Sequence, residues 1–172
     1  MNSKKAIDKS LNNDFGIETD IRDHLGELII SHDIPNKKIN MSLEELFSLY
    51  NSLNKKVPLF LNIKSDGLKD LIKIAVKKFK ISNYFLFDMS VPEMNNYALD
   101  GTLNFLTRIS DLEKVPILFE KSKGIWFDCF YGDYPDFESL KPYICKDYNI
   151  AFVSPELHLS LIHISEPTRR TP

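Results

Sequence analysis

The sequence predicts an α/β fold, an incomplete barrel of the TIM (β/α) type in which parallel strands alternate with helices. Three observations predict it. Short runs rich in Ile, Phe, Leu and Val recur along the chain, amphipathic stretches separate them, and nearly every run ends on a polar side chain. With 172 residues and 43% hydrophobic content the chain can bury one sizeable core, so a single domain is expected.

In chain order, SKKAIDKSLNNDFG reads as a helix, and FGIETDIR and ELIISHD follow as strands over 15–22 and 27–33. The second of these is open to another reading, as the returning arm of a hairpin around Gly26. Ser42 and Glu45 form a capping box ahead of Leu46, Leu49, Tyr50 and Leu53, whose three- and four-residue spacing marks a helix. PLFLNIK gives a strand over 58–64, and Leu68, Leu71, Ile72, Ala75 and Val76 mark the next helix. NYFLFDM (83–89), LNFLTRI (103–109), GIWFDCF (124–130) and NIAFVS (149–154) supply four further strands. Helices are expected near 92–99, 115–121 and 137–145, the last two weakened by Pro116 and Pro142.

A closed barrel is preferred to an open doubly wound sheet because the chain has no glycine-rich phosphate loop of the GxGxxG or P-loop kind. Strand faces agree. Ile17, Thr19 and Ile21 share one face, and Glu18, Asp20 and Arg22 share the other; Leu59, Leu61 and Ile63 likewise oppose Asn62 and Lys64. In a β/α barrel the outward face packs on helices, whereas inward residues at the C-terminal strand ends build the site. Asp20, His32, Lys64, Asp88, Arg108, Asp128 and Ser154 all stand at strand ends.

The net charge of −2 and the lack of a basic stripe interleaved with aromatics exclude nucleic acid as an expected partner. Cys129 and Cys145 have no CxxC spacing, so no zinc knuckle or disulfide framework is expected, and a reduced, cytoplasmic setting fits. No apolar run approaches the ~18 residues of a membrane span, and the N-terminus lacks the apolar core of a signal peptide. The segment LSLIHISEPTR looks like a translated sequencing-library adapter. The domain is therefore assigned to 1–158, and 159–172, with His163, is set aside as an artefactual tail.

Two residues apart on one strand, Glu18 and Asp20 point to the same side and can share a hard cation such as Ca²⁺ or Mg²⁺. An isolated ExD more often marks a solvated strand face. Here a third oxygen ligand (Asn62), a phosphate-pairing cation (Lys64) and a histidine (His32) stand at neighbouring strand ends, which is the set that metal-assisted phosphoryl chemistry requires.

Taken together, GIETDIRDHLGELIISHD resembles the N-terminal signature of the glycerophosphodiester phosphodiesterases, members of the PI-PLC-like phosphodiesterase barrels. PLFLNIKSDGL looks like their next strand. The resemblance implies a barrel enzyme that binds one divalent metal and uses two histidines as base and acid. The substrate's own hydroxyl attacks phosphorus, and water then opens the cyclic phosphate. By position, Glu18 and Asp20 match the metal carboxylates, His32 the second histidine, and Lys64 the basic residue facing the phosphate. Asn62 stands where the family has a third carboxylate, so weaker metal binding is implied. The family's first strand, ending in His-Arg-Gly, and its last strand have no counterpart in this sequence. The expectation is a piece lacking both strands and inactive by itself.

Other residues carry two readings. Arg108 is a second phosphate partner or the partner of a neighbouring acid; Trp126 and Asp128, on one face, bind a glycerol or sugar moiety or belong to a core layer. His24 reads as a solvated turn residue, and His158 as a residue near the mouth. The leading expectation is hydrolysis of a small-molecule phosphodiester. The alternative is a non-catalytic phosphate-ligand barrel that has lost its metal site.

Overall fold

Ser3 starts the first helix, α1 (Lys4–Asn12), by accepting the Ala6 N–H on its hydroxyl, and Ile7 and Leu11, four residues apart, are the side chains α1 buries. The computed structural model describes residues 3–35, 41–131, 137–144 and 148–154. Expectations for Cys145, His158 and the 159–172 tail lie outside the described residues.

Gly16 leads into β1 (Ile17–His24) where a Cβ would come within 2.9 Å of the Pro58 carbonyl oxygen. The chain reverses through Leu25 and Gly26, both at positive φ (50° and 84°), and β2 (Glu27–Ile30) returns antiparallel to β1. A two-residue turn of this kind matches the twist of the flanking strands. The run expected at 27–33 is thus the shorter arm of a hairpin and ends at Ile30.

The capping box forms as read: Ser42 Oγ accepts the Glu45 N–H at 3.1 Å, Glu45 Oε2 accepts the Ser42 N–H at 2.7 Å, and α2 (Leu43–Ser52) follows. Then come β3 (Leu59–Ile63), α3 (Lys69–Phe79), β4 (Tyr84–Phe87), α4 (Val91–Asp100), β5 (Thr107–Ile109), β6 (Gly124–Phe127) and β7 (Asn149–Phe152). Helices expected at 115–121 and 137–145 are only 3₁₀ turns, at Phe119–Lys121 and Phe137–Tyr143. Leu118 sits at φ 57°, against a right-handed helix, and Pro142 has no N–H to donate.

The strands form two sheets, ordered β2-β1-β3-β4 and β5-β6-β7, and all pairs but the hairpin are parallel. A parallel bridge between Leu86 and Phe105 links them. Apart from the antiparallel hairpin arm β2, the parallel strands lie in sequence order, β1-β3-β4 and β5-β6-β7, without the reversal of a doubly wound sheet. The layer also curls. In a flat sheet β3 and β6 would lie about 14 Å apart, three strand spacings, yet the rings of Phe60 on β3 and Trp126 on β6 have centroids 5.7 Å apart. Among the described residues no ladder joins β7 back to β1, so the fold is mixed α/β with parallel sheets, and the closed barrel of the expectation is not seen. Half of β1's outer flank is taken by β2, whose partners are Ile21–His24.

The main core lies between the helices and the outward sheet face, where Ile17, Ile21, Leu59, Leu61 and Leu86 meet Leu11, Leu46, Phe47, Ile72 and Tyr97. A second cluster fills the inward side: Phe87, Leu106, Trp126 and Val153, with Phe60, Phe85 and Ala151 packed on it. Phe87 and Trp126 stack at 3.9 Å between centroids. Among the described residues no helix is long and apolar enough to cross a membrane.

Candidate active site

Register carries the polar residues onto the inward side. Parallel pairing sets Asp20 beside Asn62 and Asn62 beside Phe87; one step earlier Glu18 stands beside Phe60 and Phe60 beside Phe85. Because side chains alternate, Glu18 and Asp20 share the face of the inward aromatic cluster, while Thr19 and Ile21 face the helices. The sequence predicts this division, and the described residues follow it.

At the C-terminal ends of these strands the charges alternate. The Lys64 ammonium lies 3.3 Å from Asp20 Oδ1 and 3.9 Å from Asp88 Oδ2. Arg108 pairs with Asp88 through Nη1 and with Glu113 through Nε, and its guanidinium lies 5.1 Å over the Phe130 ring. Asp20 is 8% exposed. Asn62 is 9% exposed, and its Oδ1 is buried without a hydrogen-bond partner. A buried amide oxygen with nothing to accept from is a costly arrangement that a cation or a donor would relieve.

Glu18 feels all of this. Burial pushes its carboxyl up from 4.5 to about 7, the Asp20 charge adds to the rise, Lys64 opposes it, Asp88 adds again, and His32 opposes. Its side chain still presents surface to solvent, so the burial is crowding inside an open mouth rather than enclosure.

His32 follows β2 on an exposed stretch. Its Nδ1 lies 2.8 Å from Asp33 Oδ1, and its carbonyl accepts from Arg22 Nη2 at 3.1 Å. The adjacent carboxylate meets the ring through Nδ1. His24 closes β1 opposite Glu27 at the hairpin, past the row of carboxylates.

Trp126 (7% exposed) and Asp128 (2%) also lie on the inward side, Trp126 within the aromatic cluster. The Asp128 carboxylate accepts the Cys129 N–H at 2.8 Å. Trp126 thus packs in a core layer that borders the carboxylate row. For Arg108, the pairing with neighbouring acids is the arrangement seen.

Among the described residues, no group of three His, Cys, Asp or Glu side chains could hold a metal ion. A divalent cation here would take Glu18, Asp20 and the Asn62 amide oxygen. The hardness of these donors suits Ca²⁺ or Mg²⁺, and the orphaned Asn62 oxygen fits such a role.

Asp88 was legible as a polar strand end but has a larger part than its position suggested. At φ 69° it leaves β4 in a left-handed conformation and stands between Lys64 and Arg108. Glu113, three residues past Ser110 in a loop turn, gave no periodic signal at all.

Against solved structures, the chain is similar to the crystal structure of glycerophosphodiester phosphodiesterase from Agrobacterium tumefaciens str.C58. The TM-score is 0.54 at 13% identity, covering 91% of this chain and 91% of that one. At that identity the likeness shows the fold, a mixed α/β architecture shared with a phosphodiesterase. No protein-family model matches the chain, and no curated protein matches it.

Proposed function

We propose that the protein is a phosphoric diester hydrolase acting on glycerophosphodiesters with one Ca²⁺ or Mg²⁺. The observation that carries this reading is the row of Glu18, Asp20 and the unpartnered Asn62 oxygen beside the Lys64 ammonium, on the inward side of a fold shared with a phosphodiesterase. A divalent cation, when bound, supplies charge stabilisation to the phosphoryl oxygens.

This chain's own residues do the remainder. Glu18 and Asp20 ionise to hold the cation, and Lys64 swings from Asp20 to pair with a non-bridging phosphate oxygen. Asp88 keeps Lys64 and Arg108 at fixed places. His32 moves one proton, at the attacking hydroxyl or at the leaving alkoxide. Phe60, Phe87 and Trp126 form an apolar floor that excludes water beneath the phosphate.

The second reading, a non-catalytic phosphate-ligand barrel, rests on the neutral Asn62 and on His32 being the one histidine beside the carboxylate row among the described residues. The two are separated by incubating the protein with glycerophosphocholine and Ca²⁺ or Mg²⁺, with imidazole added as an external proton carrier. Hydrolysis that needs the cation, rises with imidazole and is lost in Asp20→Asn supports the enzyme. Saturable binding of the diester with no hydrolysis under any of these conditions supports the binder.

A further inference from the structure

One inward-facing charge, that of Arg22, has no part in the proposed chemistry. Arg22 follows Glu18 and Asp20 at every second position of β1, so the three side chains stand on one face at steps of about 6.6 Å. Its Nη2 donates to the His32 carbonyl at 3.1 Å, which sets the guanidinium beside the residue assigned the proton. Its Nε is buried and has no hydrogen-bond acceptor. Three cations thus stand at this end of the sheet, and their charges are balanced differently. Lys64 is neutralised by Asp20 and Asp88, and Arg108 by Asp88 and Glu113. Among the described residues no carboxylate lies within ion-pairing distance of the Arg22 guanidinium. A guanidinium with its full charge and an enclosed N–H that has no acceptor suits an oxyanion.

We propose that Arg22 binds the phosphate of the substrate, taking one non-bridging oxygen on its Nε–H while Lys64 takes the other. Arg22 in this role rests on the phosphodiesterase reading of the mouth and adds a phosphate-binding residue to it. Lys64 and Arg108 each reach a phosphate only by leaving a carboxylate, whereas Arg22 breaks no ion pair to do so. Its hydrogen bond to the His32 carbonyl stays in place, because Nε and Nη2 are separate donors of one planar fork. A phosphate held there sits next along the row from Asp20, beside the His32 stretch.

Phosphate binding is read without turnover, so its outcome is separate from that of the hydrolysis assay. The full chain is titrated with inorganic phosphate by calorimetry in Mg²⁺ buffer, alongside Arg22→Gln, Arg22→Lys and the control Lys56→Gln. Lys56 is exposed just ahead of β3, at the end of the sheet away from the mouth, so the control removes the same charge elsewhere. Circular dichroism verifies that each variant is folded. The wild type and Lys56→Gln should bind alike. Arg22→Gln should lose about 10- to 100-fold in affinity, the range for a hydrogen bond to a charged group, and Arg22→Lys should recover part of that loss. In the NMR spectrum of isotope-labelled wild type, the Arg22 Nε–H signal, assigned by its absence in Arg22→Lys, should shift saturably with phosphate. That readout holds even if Arg22→Gln fails to fold. Equal binding by Arg22→Gln overturns the proposal and leaves Arg22 a tether for the His32 stretch alone. No binding by the wild type, equal loss in Lys56→Gln, no recovery with lysine or a stationary Arg22 signal also overturns it.

Discussion

The Lys64 ammonium lies 3.3 Å from Asp20 Oδ1, so the residue that would pair with a phosphate now neutralises a carboxylate that would hold a cation. The two roles compete for one charge. Replacing Lys64 with Met should therefore tighten Ca²⁺ binding, measured by calorimetry, while lowering kcat/KM for the phosphodiester by about 10- to 100-fold, the range for loss of a charge-stabilising donor. Weaker Ca²⁺ binding in Lys64→Met would contradict this arrangement.

Glu18 should set the pH dependence of the proposed cation binding. Its carboxyl is raised to about 7, and a cation needs it ionised, so binding should release a proton below that pH. Affinity should climb by up to about tenfold per pH unit as pH rises toward 7, then level off. Calorimetry in buffers of different ionisation heat counts the proton, and an affinity flat between pH 5 and about 7 would show that Glu18 is not a ligand.

The same group leaves a mark on stability. Its folded pKa lies above the ordinary 4.5, so the folded state holds the proton more tightly than the unfolded state, and stability falls as pH rises from 4.5 through about 7. Glu18→Gln should flatten that fall in urea titrations across the window. An unchanged slope would remove Glu18 as its cause.

His32 lies on an exposed stretch, its Nδ1 2.8 Å from Asp33 Oδ1. His32→Ala should lower turnover by ~10² to 10⁴, the range for removing an acid or base, with cation affinity nearly unchanged. A collapse of cation affinity in calorimetry would make His32 a ligand instead.

Gly124 opens β6 at φ 148°, where a Cβ would fall 1.9 Å from the Asn149 carbonyl oxygen on β7. Gly124→Ala should force the β6–β7 pair apart and destabilise the fold by about 2 kcal/mol or more. Thermal unfolding of that variant within a degree of the wild type would contradict the close approach.

Much of this fold was readable because the strands alternate cleanly. Leu59, Leu61 and Ile63 against Asn62 and Lys64 told which face meets the helices, and the inward placement of Glu18, Asp20, Asn62 and Trp126 follows from the same period. The segments around Pro116 and Pro142 were harder: apolar spacing suggests helix there, but the left-handed Leu118 and the missing Pro142 N–H leave only 3₁₀ turns. Arg108 ends a strand as a phosphate partner would. Its pairing with Asp88 and Glu113 depends on a loop turn built by Ser110, which accepts the Leu112 and Glu113 N–H groups, and no periodicity encodes such a turn.

Trp126, the sole tryptophan, belongs to the inward cluster with Phe60, the neighbour of Glu18 in register, and so can report on a cation held by the carboxylate row. Terbium, a hard trivalent stand-in for Ca²⁺, should show luminescence sensitised by Trp126 that saturates with added terbium. Excess Ca²⁺ should reverse it, and Asp20→Asn should abolish it. Luminescence that fails to saturate, or that persists undiminished in Asp20→Asn, would contradict a cation site at Glu18, Asp20 and Asn62.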